Sequence, residues 1–251
     1  MFGFLTGEHS RPRGVKGRRA YVVGDIHGRI DLLDELLGKI ERDLVGAKRS
    51  KATLVFLGDL IDRGPGSAAV IERLRTYRHR GVQPVFLLGN HEEVLLRILD
   101  GESTLIADWW RFGGKECLQS YGVHSAAFAC MDEKSALAAV RKAIPKTHVE
   151  FLRSFADTCR FEDYLFVHAG IRPGVELERQ KQADLRWIRE PFLTDETDHG
   201  FVVVHGHTIS SYVEERPNRI GIDTGAYKSG VLTALVISGR ERRLLTTAAS
   251  A

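Results

Sequence analysis

Short apolar runs alternate with amphipathic stretches along the first hundred residues. Residues 20–23 form an unbroken apolar run that predicts a buried strand. Residues 31–45 follow with Leu32, Leu33, Leu36, Leu37, Ile40 and Leu44 at helical spacing. The alternation repeats, with strands predicted over 53–57 and 85–88 and helices over 67–80 and 92–99. Apolar runs without strict alternation, separated by helices, indicate βαβ units around a parallel sheet buried on both faces. From about residue 108 to 156 the pattern turns helical and Ala-rich, broken at Gly113, Gly114 and Pro145. With its flanks this stretch reads as a helical insert or cap over about residues 100–160. Strands return over 164–167, 201–204, 219–222 and 231–237, closer together than before. The fold class is therefore α/β shading into α+β, with a β-rich second half.

Composition narrows this only modestly. At about 150 residues per domain, 251 residues suit one or two domains. No low-complexity linker or long repeat divides them, so one domain over 20–251 is expected. The chain is 43% hydrophobic and 27% charged, which excludes disordered and collagen-like classes. No apolar run reaches the roughly 18 residues of a membrane helix, and residues 1–5 are too short for a secretory signal. Residues 1–19 are basic, with Arg11, Arg13, Lys16, Arg18 and Arg19 among glycines, and read as a flexible solvated tail. No aromatic residues interleave there, and a net charge of +3 demands no nucleic acid. Cys117, Cys130 and Cys159 are odd in number and far apart, so buried free thiols in a reducing cytoplasm are expected.

The chemistry gathers where strands end. Three predicted strands exit through Gly24-Asp25, Gly58-Asp59 and Gly89-Asn90, spaced 34 and 31 residues apart, as suits successive βα units. Ligands collect beyond the carboxyl ends of parallel strands, and glycine permits a tight exit there. Five of the ten histidines, His27, His91, His168, His205 and His207, also fall at such exits. Oxygen and imidazole donors without thiolate suit Mn²⁺, Fe or Zn²⁺. Asp25 and His27 are placed to hold one ion and Asn90, His168 and His207 another, with Asp59 bridging. Two ions about 3.5–4 Å apart would activate a shared water and neutralise phosphate oxygens. A single-metal hydrolase is the alternative, and the number of ligands argues against it. Arg63 is a candidate phosphate clamp, since a guanidinium grips two oxygens at once. His91 is a candidate general acid with Asp62 as its partner. A nucleotide-binding P-loop is excluded, because Gly113-Gly114-Lys115-Glu116 lacks the first glycine and the hydroxyl after lysine.

Five motifs occur in order: Gly24-Asp25-Ile26-His27-Gly28, residues 58–64, Gly89-Asn90-His91-Glu92, His168-Ala169-Gly170 and Gly206-His207-Thr208. Together they resemble the PPP family of phosphoprotein phosphatases within the calcineurin-like metallophosphoesterases. Residues 109–114, 117–121, 187–190 and 222–226 look like segments of the bacterial and bacteriophage-lambda-type serine/threonine phosphatases. The resemblance implies a central β-sandwich flanked by helices, two divalent ions (usually Mn²⁺) and hydrolysis of phosphomonoesters. It implies metal ligands at Asp25, His27, Asp59, Asn90, His168 and His207. It implies phosphate binding by Arg63 and Arg189, with Asn90 nearby, and an acid dyad of His91 and Asp62. Arg189 comes from the resemblance alone; its spacing is unremarkable. His205 matches no ligand, and Glu92 reads as structural, favoured by a following helix N-terminus.

The function expected is a metal-dependent serine/threonine protein phosphatase with activity on small aryl phosphates. The alternative is a symmetrical dinucleoside polyphosphate hydrolase. In that sister group the position of Asp62 is usually not acidic and that of Glu92 is usually Asp, so the protein-phosphatase branch is favoured. A non-catalytic binding protein on the same fold is the third reading, and the intact motifs argue against it. The expected partner is a phosphorylated protein or peptide, with neither nucleic acid nor membrane involved.

Overall fold

The computed structural model describes residues 12–46 and 51–247. Ten strands form two five-stranded sheets. The first contains β1 (Arg18–Val23), β2 (Lys51–Phe56) and β3 (Val82–Phe86), all parallel, extended by antiparallel β9 (Thr233–Ser238) and β10 (Glu241–Thr246). The second is ordered β4 (Thr158–Phe161), β5 (Tyr164–Val167), β6 (Val202–His205), β8 (Arg219–Gly221) and β7 (Glu214–Glu215), with β5, β6 and β8 parallel. The parallel β1, β2 and β3 match the array read from the apolar runs, and the antiparallel β9, β10, β4 and β7 make both sheets mixed. β9 turns back to pair with β1, a long-range choice that strand periodicity does not encode.

The sheets pack face to face. Ala20, Val22, Val55 and Leu57 of the first sheet meet Tyr164, Phe166, Val202 and Val204 of the second in one buried cluster. The alternate residues, Tyr21, Val23, Leu54 and Phe56, face a second cluster under the helices. Burial on both faces is why these strands read as continuous apolar runs. Helices α1 (Ile30–Gly46), α2 (Ser67–Arg75) and α3 (Asn90–Asp100) cover that outer face, α1 through Leu32, Leu33, Leu36, Leu37 and Ile40. The second helix ends at Arg75, five residues short of its sequence pattern.

Between β3 and β4 lie α4 (Ile106–Trp109), α5 (Lys115–Ser120), α6 (Ser125–Ala129), α7 (Glu133–Ala143) and α8 (Lys146–Arg153). Trp109, Cys117, Leu118, Ala136, Val140 and Leu152 join the same core as α3, so these helices share the main hydrophobic core. The second sheet is backed by Leu185, from α9 (Gln182–Trp187), with Ile188 and Phe192. Short α10 (Ala226–Ser229) precedes β9. Residues 1–11 of the basic segment lie outside the described residues. From Pro12 onward the chain is tied down, with the Gly14 N–H donating to the Gly239 carbonyl at 2.8 Å. Arg18 and Arg19 open β1, where Arg19 also reaches Asp43 at 2.9 Å. Cys117 is buried, but Cys130 is exposed and Cys159 lies between, so burial does not extend to all three free thiols. Among the described residues no helix is long and apolar enough to cross a membrane.

Candidate active site

The parallel strands deliver their carboxyl ends to one edge of the sandwich. Backbone bonds stitch the exits together: Ile26 and His27 N–H donate to the Asp59 carbonyl (3.1 and 2.9 Å), and Gly206 N–H donates to that of His168 at 2.8 Å. Six non-glycine residues among those described have positive φ, and five are candidates at this edge: His27, Asp59, Asp62, Arg63 and His207. Left-handed backbone costs about 1–2 kcal/mol per residue, so strain is concentrated where side chains must be aimed.

Asp59 sits between two imidazole pairs. Its Oδ2 lies 3.6 Å from His27 Nε2 and 3.9 Å from His91 Nε2, while Oδ1 lies 3.5 Å from His168 Nε2. Asn90 Oδ1 is 3.0 Å from His168 Nε2 and 2.9 Å from His207 Nδ1. The His27 Nδ1–H donates to the Ile61 carbonyl at 2.8 Å, and that of His168 to Leu57 at 2.9 Å. Those carbonyls fix each tautomer so that the Nε2 lone pair points inward, as a metal ligand requires. Asp25 joins them on the far side, its Oδ2 accepting from His207 N–H at 3.0 Å.

A cation fits this cluster. Asp25 Oδ1 and His27 Nε2 are buried without any hydrogen-bond partner, a costly state for such atoms. Burial, then the charges of Asp223 and Asp59, push Asp25 well above the usual carboxylate range. Burial likewise raises Asp223 to about 6, with Asp59 adding to it against a Gly225 N–H bond. Burial and neighbouring His168 depress His207 to about 3, which leaves a neutral donor. Repelling carboxylates and uncharged imidazoles around orphaned atoms are arranged for positive charge. His27, Asp59 and His91 form one group that could hold an ion, and Asp59, His168 and His207 another. These residues are positioned to bind a metal centre. His91 belongs to the first group by distance, although its ring is engaged elsewhere.

His91 Nδ1 lies 2.6 Å from Asp62 Oδ2, and its Nε2 lies 3.1 Å from Arg63 Nη2. Burial opposes charge on His91, but Asp59 and Asp62 outweigh it and raise the imidazole to about 9. Arg63 stacks over the Tyr227 ring at 4.9 Å, which keeps its guanidinium at the mouth of the cluster. Arg189 is exposed; burial lowers the pKa of both His168 and His207, and the Arg189 charge adds a smaller push in the same direction. His205 is buried against Phe192, and among the described residues its ring bonds only to the Gly206 carbonyl, so it stays outside the cluster.

Several contacts of the site escaped the sequence pattern. Trp109, in the helical insert, donates from Nε1 to Asp62 Oδ2 at 2.9 Å. Asp62 therefore receives both His91 and Trp109 on one oxygen. Glu92 is fully buried and accepts four backbone bonds, from Asp59, Leu60, Ile61 and Gly89, at 2.8–3.3 Å. Burial, then Asp59, raises its pKa to about 8, while His91 and the backbone N–H bonds from Leu60 and Asp59 favour the ionised form. Asp223 follows β8 as Asp59 follows β2, and that recurrence was its available signal.

Gly113, at φ 117°, accepts from the Arg63 N–H at 3.1 Å, and a Cβ there would collide with the Arg63 backbone nitrogen. Gly113→Ala should therefore destabilise the fold by more than about 1 kcal/mol. It should also weaken inhibition by inorganic phosphate, because Arg63 is displaced. Urea midpoints and inhibition constants test this, and unchanged values for both would refute the clamp.

The chain belongs to the calcineurin-like phosphoesterase family, whose sequence pattern matches residues 18–229, from the start of β1 to the end of α10. It is a metallophosphoesterase, a hydrolase of phosphate esters. Its relatives divide by substrate. It is 29% identical over 233 residues to serine/threonine-protein phosphatase 1 of Salmonella typhimurium, covering 90% of this chain and 94% of that one. It is 24% identical to the symmetrical bis(5'-nucleosyl)-tetraphosphatase of Janthinobacterium sp. strain Marseille, covering 88% of this chain and 93% of that one. A serine/threonine phosphatase structure from Saccharomyces cerevisiae shares the fold, with TM-score 0.55, 14% identity, and 94% and 82% coverage.

Proposed function

We propose that this phosphoesterase is a serine/threonine protein phosphatase that holds two divalent ions, with Mn²⁺ the expected metal. Asp25, His27 and Asp59 would hold one ion, and Asp59, Asn90, His168 and His207 the other. When bound, such ions neutralise phosphate oxygens and make water nucleophilic at neutral pH. Arg63 and Arg189 bind and orient the phosphate through paired N–H donors, with Asn90 beside them. His91 delivers the proton to the departing oxygen, held in place by Asp62.

The observation that carries this reading is the buried contact of His91 with Asp62, 2.6 Å apart. A serine or threonine alkoxide is a poor leaving group and needs an acid, whereas a nucleoside polyphosphate departs readily as an anion. An acid locked in place by a buried carboxylate is chemistry a dinucleotide hydrolase has little use for. The similarity to the Salmonella protein phosphatase over nearly the whole chain supports the same side. The similarity to the symmetrical tetraphosphatase supports the second reading.

The test is a side-by-side measurement of kcat/KM with Mn²⁺ on a phosphoserine peptide, a symmetrical dinucleoside tetraphosphate and an aryl phosphate. The peptide should exceed the dinucleotide by at least about tenfold, roughly the 1.4 kcal/mol of one modest transition-state contact. A dinucleotide preference would overturn the assignment.

A further inference from the structure

We infer that Arg186, in α9, is a positioning residue that aims Arg189 at the candidate site. The inference rests on the proposed phosphate-binding role of Arg189. The Arg186 side chain is 11% exposed and joins three separate segments. Its Nε and Nη2 donate to Asp157 Oδ1 at 2.9 and 2.6 Å, and its Nη1 lies 3.3 Å from Glu93 Oε2. Glu93 belongs to the first turn of α3, three residues after Asn90. Asp157 follows Ala156, whose backbone clasps the end of β3: Ala156 N–H donates to the Phe86 carbonyl and Leu88 N–H to that of Ala156, both at 2.9 Å.

Helix α9 closes the arrangement from its own side. Gln182 Nε2 donates to Asp157 Oδ2 at 3.0 Å, and Trp187 Nε1 donates to Glu93 Oε2 at 3.1 Å. A six-residue helix has little stability of its own, so tertiary contacts decide where it points. Arg189 lies two residues beyond its end; its carbonyl accepts from the Leu193 N–H at 2.9 Å, but its side chain makes no hydrogen bond or ion pair among the described residues. Its aim is therefore inherited from α9, which Leu185 and Ile188 anchor on the apolar side and Arg186 on the polar side. Both carboxylates facing Arg186 are mostly screened from water, with side chains 19% and 28% exposed, which separates this cluster from an ordinary surface ion pair.

The experiment is a double-mutant cycle on the metal-loaded full chain, probed with inorganic phosphate. Two readouts apply: the inhibition constant, and the rise in Tm that phosphate confers. Arg186→Leu should weaken phosphate binding about tenfold and raise KM more than it lowers kcat, at unchanged metal content. Arg186→Lys should recover part of the loss, since one ammonium cannot span both carboxylates as the guanidinium does. Glu93→Gln should shift the constant the same way by less, and it serves should Arg186→Leu not fold. In an Arg189→Ala background all three should add less than about twofold. Full additivity with Arg189→Ala, or an unchanged phosphate constant in Arg186→Leu, would overturn the inference alone. An unchanged constant in Arg189→Ala would overturn the Arg189 reading and this inference with it.

Discussion

Asp59→Asn is expected to lower kcat by roughly a thousandfold or more, since Lewis-acid stabilisation is worth several kcal/mol and each 1.4 kcal/mol is tenfold. Its carboxylate reaches both imidazole pairs, with its two oxygens 3.5–3.6 Å from His168 and His27. An amide keeps the shape but turns one oxygen into a donor, aimed at an imidazole lone pair. It also removes the negative charge that two closely placed cations would share. Two measurements separate this from damage to the fold. Added Mn²⁺ should raise the Tm of the wild-type chain, by an amount worth about 2.7 kcal/mol at a hundred times its Kd, and this rise should shrink in Asp59→Asn. Metal bound per chain should fall in parallel. Wild-type turnover in Asp59→Asn, or in a chain shown by elemental analysis to hold no metal, would refute the metal-centre reading.

The strand exits were legible in the sequence because two local constraints coincide there. A chain leaving a buried strand into a crevice needs a tight turn, and a site needs an oxygen or imidazole one residue later. Gly24-Asp25, Gly58-Asp59 and Gly89-Asn90 carry both requirements in adjacent letters. Trp109 shows where such legibility stops. Its ring belongs to the main core at helical spacing, while its one polar atom reaches Asp62, 47 residues away in sequence. Periodicity reports which face of a helix is buried and says nothing about what its edge atom meets. Glu92 was legible as a helix-start residue, but not as the acceptor that gathers the Asp59 loop, because its donors are backbone groups without a sequence signature. Arg186 fails for another reason: an ion cluster drawn from α3, α9 and the approach to β4 exists only after the sheets have packed. The antiparallel return of β9 onto β1 and the edge strand β10 belong to the same class of long-range facts. Arg242 and Arg243 make β10 look like solvated chain, although charge on an edge strand is a usual guard against unwanted pairing.

His91→Asn should separate acid catalysis from metal binding. As the phosphorus–oxygen bond of a phosphoserine breaks, charge builds on an alkoxide, and a positioned acid is worth about 10²–10⁴-fold there. A nitrophenolate carries the same charge without help. His91→Asn should therefore cost a phosphoserine peptide about a hundredfold or more in kcat/KM and an aryl phosphate far less, with metal content near wild type. Asp62 holds the imidazole at 2.6 Å and is itself held by Trp109 at 2.9 Å, so the three form one chain of buried contacts. Asp62→Asn should give a weaker form of the same substrate bias, and Trp109→Phe a weaker one again, because it removes one donor and leaves the ring in the core. Combining His91→Asn with Asp62→Asn should be less harmful than the two losses added, as residues acting as a unit require. The measurement is kcat/KM on both substrates for each variant, with bound metal quantified in every sample. An equal loss on both substrates at full metal occupancy would make His91 a phosphate-positioning group. A loss that tracks metal content would make it a ligand, as its 3.9 Å approach to Asp59 permits.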